Sequence, residues 1–125
     1  MKKLPLGAGY TYLRDAFNYV ISLFTPLCET LILIAHCSEK QIEKEGKEMY
    51  EMEIDLSGKL KRIVAARADA LCYLYRKDNK TIINFNGGGD AIVEARSEHL
   101  SNKEFVLVEK VGDKFIHHWD EIFID

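Results

Sequence analysis

Glu29-Thr30-Leu31-Ile32-Leu33-Ile34-Ala35-His36 is a run in which apolar residues do not alternate with polar ones. Successive side chains of a strand point to opposite faces, so a run that is apolar at every position is apolar on both. Strands of that kind belong to parallel sheets covered by helices on both sides. The expectation is a buried strand over 29–36 in an α/β chain.

Upstream, Leu13, Phe17, Val20, Ile21 and Phe24 recur at three- and four-residue steps, which predicts a helix over roughly 10–25, with Pro26 just beyond its end. Residues 4–9, with Pro5, Gly7 and Gly9, read as a loop. Downstream, the charged segment 37–55 is divided by Gly46, after which Met52, Ile54 and Leu56 alternate; a hairpin and a long functional loop both fit. A second helix is expected over 57–67, capped by Ser57 or Asp55. Its Leu60, Ile63 and Val64 would face inward and its Lys59, Lys61, Arg62 and Arg67 outward. Residues 69–76 and 80–85 read as strands around a tight turn at Lys77-Asp78-Asn79. Beyond Gly87-Gly88-Gly89, short strands are expected near 91–95, 104–110, 114–119 and 121–124. The whole is one α/β domain over 1–125, with a partial core of parallel strand and helices in front and a β-rich antiparallel part behind.

The chain has 125 residues, 47% of them hydrophobic and 30% charged, enough for a core and an ordinary surface. A net charge of -3 argues against coating duplex DNA by charge alone, because phosphate neutralisation needs clustered cations. Cys28, Cys37 and Cys72 form no C-x-x-C pair and read as buried free thiols of a reducing cytoplasm. No signal peptide is visible at Met1-Lys2-Lys3, and the longest apolar run, Leu31 to Ala35, is too short to span a bilayer, so no membrane partner is expected.

A phosphate-binding loop needs G-x-x-x-x-G-K-[ST], so that backbone N–H groups and the lysine cradle the phosphates. Gly58-Lys59 is followed by Leu60 and has Glu53 at the first glycine position. Gly46-Lys47 is followed by Glu48 and has Gln41 there. Gly87-Gly88-Gly89 lacks the lysine and reads as a turn ahead of a phosphate-contacting nest. Glu109 reads as a strand-end charge ahead of a metal ligand. His36 follows an apolar strand, where ligands of open parallel sheets gather, although a lone histidine there is more often structural. The cations of 57–67 fit a solvated face or a phosphate contact, and the many acids of 38–55 make that segment a poor DNA grip by itself. His117-His118 point to opposite faces of a strand and cannot easily share an ion; with His99 they give no metal site.

In order, these elements resemble the second half of the RecA core, through Leu31-Ile32-Leu33-Ile34-Ala35-His36, Leu56-Ser57-Gly58-Lys59-Leu60 and the strand that begins Asp69-Ala70-Leu71-Cys72-Tyr73. More closely the chain is similar to phage nucleotide-binding proteins of the RecA-like single-strand-annealing group. That likeness rests on Gly7-Ala8-Gly9-Tyr10, Asp55-Leu56-Ser57-Gly58-Lys59, Glu94-Ala95-Arg96-Ser97-Glu98-His99-Leu100 and Trp119-Asp120-Glu121-Ile122.

The resemblance implies the sensor and DNA-binding half of a recombination or annealing ATPase of the P-loop superfamily, unable to hydrolyse ATP alone. His36 would be the sensor and Arg96 a contact to a neighbour's ATP. Lys40, Lys44, Lys47, Lys59, Lys61 and Arg62 would bind single-stranded DNA. The chain alone would hold no cofactor; ATP and Mg²⁺ belong to the complete family fold. A homo-oligomer or a P-loop-bearing partner, in the cytoplasm of a bacterial host, is the implied setting. The alternatives are a non-catalytic assembly module that regulates a full-length relative, and a nucleic-acid binder that needs no nucleotide.

Overall fold

A computed structural model describes residues 7–87 and 91–124. Helix α1 (Ala8–Phe24) follows Gly7, whose φ of 88° suits a residue without a Cβ. It ends where the Thr25 hydroxyl donates to the Ile21 carbonyl at 2.8 Å and Pro26 enters a short 3-10 turn, Thr25–Leu27. The helix matches the expected apolar repeat, but Leu13, Val20 and Phe24 on that face remain about half exposed.

The run 29–36 forms no strand, which corrects the sequence reading. Its backbone is irregular, and Ile32, Leu33 and Ile34 are exposed, Ile34 by 90%. An apolar run specifies what a strand requires on its two faces, but a strand exists only beside another strand, and none lies beside this run among the described residues. The parallel sheet is corrected with it. Among the described residues, parallel pairing is limited to an isolated bridge between Met52 and Ala91, and the sheets are antiparallel.

Strands β1 (Cys37–Lys44) and β2 (Lys47–Ile54) form a hairpin, closing the choice between hairpin and loop. Helix α2 (Leu60–Arg67) starts later than expected. Neither Ser57 nor Asp55 caps it; Lys59 takes the cap position with no side-chain hydrogen bond. Leu60 is buried, and Ile63 and Val64 are half-buried.

Behind α2 lie β3 (Ala70–Leu71), β4 (Tyr73–Lys77) and β5 (Lys80–Asn84), then β6 (Glu94–Ala95), β7 (Glu104–Val111) and β8 (Lys114–His117). Strand β3 pairs with β6, while β4-β5-β7-β8 form a four-stranded antiparallel sheet. Asp78 adopts a φ of 55° in the two-residue turn between β4 and β5, as the sequence there suggested. The strand expected at 91–95 is only two residues long, and the one expected at 114–119 stops at His117. Residues 121–124 are not a strand. A 3-10 turn at Trp119–Glu121 places Ile122 in the core with Ile83, Phe85, Leu100 and Leu107. Alternating Ile122 and Ile124 suggest a strand, yet burial of Ile122 needs only one turn. Glu109 does not end its strand, since β7 runs on to Val111. Cys28 and Cys37 are exposed and only Cys72 is half-buried, because the apolar run between the first two is itself uncovered.

Candidate nucleic-acid interface

The β1–β2 hairpin turns on Glu45-Gly46, whose φ values of 55° and 73° are both left-handed. Two-residue hairpin turns of this kind match the twist of the flanking strands and fix their register. Lys44 is therefore directly opposite Lys47, and the pairs run outward from there. Side chains directly opposite share a face. One face carries Lys44 with Lys47, Ile42 with Met49, Lys40 with Glu51, and Ser38 with Glu53. The other carries Glu43 with Glu48, Gln41 with Tyr50, Glu39 with Met52, and Cys37 with Ile54.

Composition alone made this segment an acidic, poor grip on DNA. The register sorts the charges in part: all three lysines stand on one face, with Glu51 and Glu53 towards the hairpin root, and the acids Glu39, Glu43 and Glu48 stand on the other. Like charges directly opposite are destabilising. The hairpin nonetheless keeps two such pairs next to its turn, Lys44 with Lys47 and Glu43 with Glu48.

Helix α2 adds to the basic face. The Lys61 ammonium donates to a Glu53 carboxylate oxygen, with side chains 31% and 13% exposed, so Lys61 is not the freely solvated cation its sequence position suggested. The Lys61 hydrogen bond holds the Glu53 carboxyl below its usual range. Desolvation opposes that effect, while the charges of Lys61, Lys40 and Arg62 reinforce it. Lys61 contacts the carboxylate, Lys40 is its diagonal neighbour on the hairpin face, the charge of Arg62 reaches it from α2, and Lys44 and Lys47 extend the same face towards the turn.

Lys59 lies ahead of α2. It borders a hollow of about 330 Å³ that Tyr10, Thr11, Arg14 and Gly58 also line. Gly58 has a φ of 57°, and a Cβ there would sit 3.6 Å from the Tyr10 ring, so glycine is required by conformation more than by space.

His36 is exposed at the root of the hairpin, where its carbonyl accepts the Asp55 N–H at 2.9 Å. Arg96 sits at the opposite end of α2. Its guanidinium donates to the Ala66 carbonyl at 3.1 Å and to Asp69 Oδ1 at 3.3 Å, beside a hollow of about 250 Å³ shared with Glu94. In this structure Arg96 satisfies a carbonyl of the last helical turn that has no partner within the helix.

Two of the remaining histidines make structural ties, and His117 is exposed. His99 bridges the Ser97 hydroxyl and the Ile122 carbonyl, and His118 lies 3.3 Å from Glu109. Among the described residues no group of three or more His, Cys, Asp or Glu side chains is placed to hold a metal ion. Gly88 and Gly89, part of the candidate nest, lie outside the described residues. No helix of the described residues is long and apolar enough to cross a membrane.

Sequence reasoning missed Glu53 as the centre of the cation cluster. The signal that locates it is the two-residue turn, since counting outward from Lys44 and Lys47 puts Glu53 on the lysine face.

A profile described as AAA domain matches residues 2–120 of the chain. No curated protein and no solved structure matches it.

Proposed function

Because this chain belongs to the AAA domain family, a family of P-loop nucleotide-binding ATPases, we propose that it is the part of such an ATPase that holds single-stranded DNA during recombination or strand annealing. The observation that carries this reading is the hairpin register, which collects Lys40, Lys44 and Lys47 on one face and continues it through Lys61 and Arg62 of α2. That face also carries Glu51 and Glu53, towards the root of the hairpin, so its surplus of cations is small until Lys61 and Arg62 are included; a net-positive ridge tracks a phosphate backbone without reading its bases. His36, tied to the hairpin root, is the proposed sensor between nucleotide and hairpin, and Arg96 the proposed contact to a neighbour's nucleotide. The direct test is anisotropy of a labelled oligodeoxythymidine across a salt series. Saturable binding that weakens steeply with salt is expected; absence of binding at the lowest salt refutes the reading.

Neither Gly-Lys pair of the described residues reads as a phosphate-binding loop. Gly46 is occupied in a hairpin turn, and Gly58-Lys59 is followed by Leu60, leaving no hydroxyl for Mg²⁺. Phosphoryl transfer depends on positioning both phosphates and metal. The pure 125-residue chain is therefore expected to release no phosphate from ATP in a Mg²⁺-dependent assay, and measurable turnover would overturn this. ATP and Mg²⁺ would come with a P-loop-bearing chain.

A second reading, an assembly module, rests on a different observation. Leu27 and the run Leu31–Ile34 are exposed, as are Tyr10, Leu13, Leu23 and Phe24 of α1, and exposed apolar surface that gathers into a patch marks an interaction site. The backbone of 29–35 has no strand partner among the described residues, and an unpaired apolar segment invites one from another chain. Light scattering at micromolar concentration should give a mass above that of a monomer. The double variant Ile32→Glu/Ile34→Glu should return it to 14.4 kDa. A monomeric wild type would dismiss this reading and leave the DNA-binding one intact.

A further inference from the structure

We infer that Glu53 stands in for a nucleic-acid phosphate, holding Lys61 in reserve at a phosphodiester site formed by Lys40, Lys61 and Arg62. This inference rests on the single-strand reading above and adds to it a built-in competitor. Carboxylate and phosphate oxygens accept the same charge-assisted hydrogen bonds from ammonium and guanidinium groups. Glu53 already accepts one from Lys61, and the charges of Lys40 and Arg62 act on the same carboxylate. Three cations, Lys40, Lys61 and Arg62, stand here against two acids, Glu53 and the Glu51 opposite Lys40. Arg62 is exposed, as is Lys40, whereas Lys61 and Glu53 are half-buried. A backbone phosphate arriving at the face therefore meets Lys40 and Arg62 first. It gains Lys61 only by displacing Glu53.

A purely structural ion pair would sit equally well between two isolated side chains. Here it lies at the end of the face that also carries Lys44 and Lys47, where a strand tracking the lysines must pass. The surplus of cations around Glu53 makes the site attractive to an anion even while the carboxylate is in place. Removing the carboxylate charge and keeping its shape frees one contact.

Glu53→Gln is the test, with Glu43→Gln on the opposite face as control, both measured by anisotropy of labelled oligodeoxythymidine over a salt series. One additional phosphate contact on a single strand steepens the log–log salt slope by about 0.7 and tightens binding about eightfold near 50 mM salt. Glu53→Gln should show both changes and Glu43→Gln neither. Lys61→Gln should cost little in the wild-type background and about eightfold in the Glu53→Gln background, as expected of coupled groups.

If wild type binds but Glu53→Gln binds no tighter, Glu53 is a structural tie; the single-strand reading survives and this inference does not. If neither protein binds, both fall. Should circular dichroism show Glu53→Gln unfolded, Lys61→Gln alone decides. A loss as large as that of Lys44→Ala would mean that Lys61 already contacts the strand and is not held in reserve.

Discussion

Phe85→Ala should remove about 3–5 kcal/mol of folding stability. Phe85 is 4% exposed, the lowest value in the core, and packs with Ile83, Leu100, Leu107 and Ile122. Its ring meets Phe105 edge-on at 6.3 Å, and its N–H donates to the Lys103 carbonyl at 2.8 Å. Truncation leaves a cavity between the sheet and the 3-10 turn that seats Ile122, and each side is held by separate backbone bonds, so collapse is limited. Natural domains hold only roughly 0.05–0.15 kcal/mol per residue. The loss is thus a large share of the total. Urea unfolding followed by circular dichroism measures it. Phe115→Ala, at a position 63% exposed, should change stability by less than about 0.5 kcal/mol. Similar midpoints for the two variants would show that the core is not where this packing puts it.

The triple variant Lys40→Ala/Lys44→Ala/Lys47→Ala should bind single-stranded DNA several hundredfold more weakly at low salt. Each phosphate contact contributes about 0.7 to the log–log salt slope on a single strand, so three lost contacts flatten it by about two and cost on the order of 500-fold near 50 mM salt. The fold should not suffer, because all three side chains are exposed and the Lys44–Lys47 pair is repulsive. The matching triple variant of the other face, Glu39→Gln/Glu43→Gln/Glu48→Gln, changes net charge by the same amount in the opposite sense. It should shift affinity only through the weaker long-range field. Equal affinity of wild type and the lysine variant would exclude the hairpin as the contact surface.

What was legible in the sequence follows the range of the forces involved. Helix α1, the hairpin at Gly46 and the turn at Asp78-Asn79 have local causes: a repeat of apolar residues, and backbone angles that particular residues favour. The run 29–36 misled because its apolar character is local while the pairing that makes a strand is not. Residues 121–124 misled through two isoleucines spaced as in a strand, although Ile122 reaches the core from a single turn. The candidate cations were identified by type. Their segregation from Glu39, Glu43 and Glu48 was not, because it depends on register, and register depends on two left-handed residues at positions 45 and 46. Lys61 illustrates the limit: helical spacing sends it outward, yet Glu53 of the hairpin comes within hydrogen-bond reach of it.

That two-residue turn also gives the hairpin a handed relation to any polyanion. All three lysines of this two-stranded sheet lie on one side, with Glu51 and Glu53 at its root, and the charged residues of the other side are all acids, so a bound strand would be drawn to the first side and repelled from wrapping around to the second. Several copies seated on one strand would then all present the same side to it, leaving their acidic sides and the Tyr50 ring facing away. A second polyanion approaching from outside would meet negative charge. Such a row would screen the strand it carries while keeping other nucleic acid at a distance.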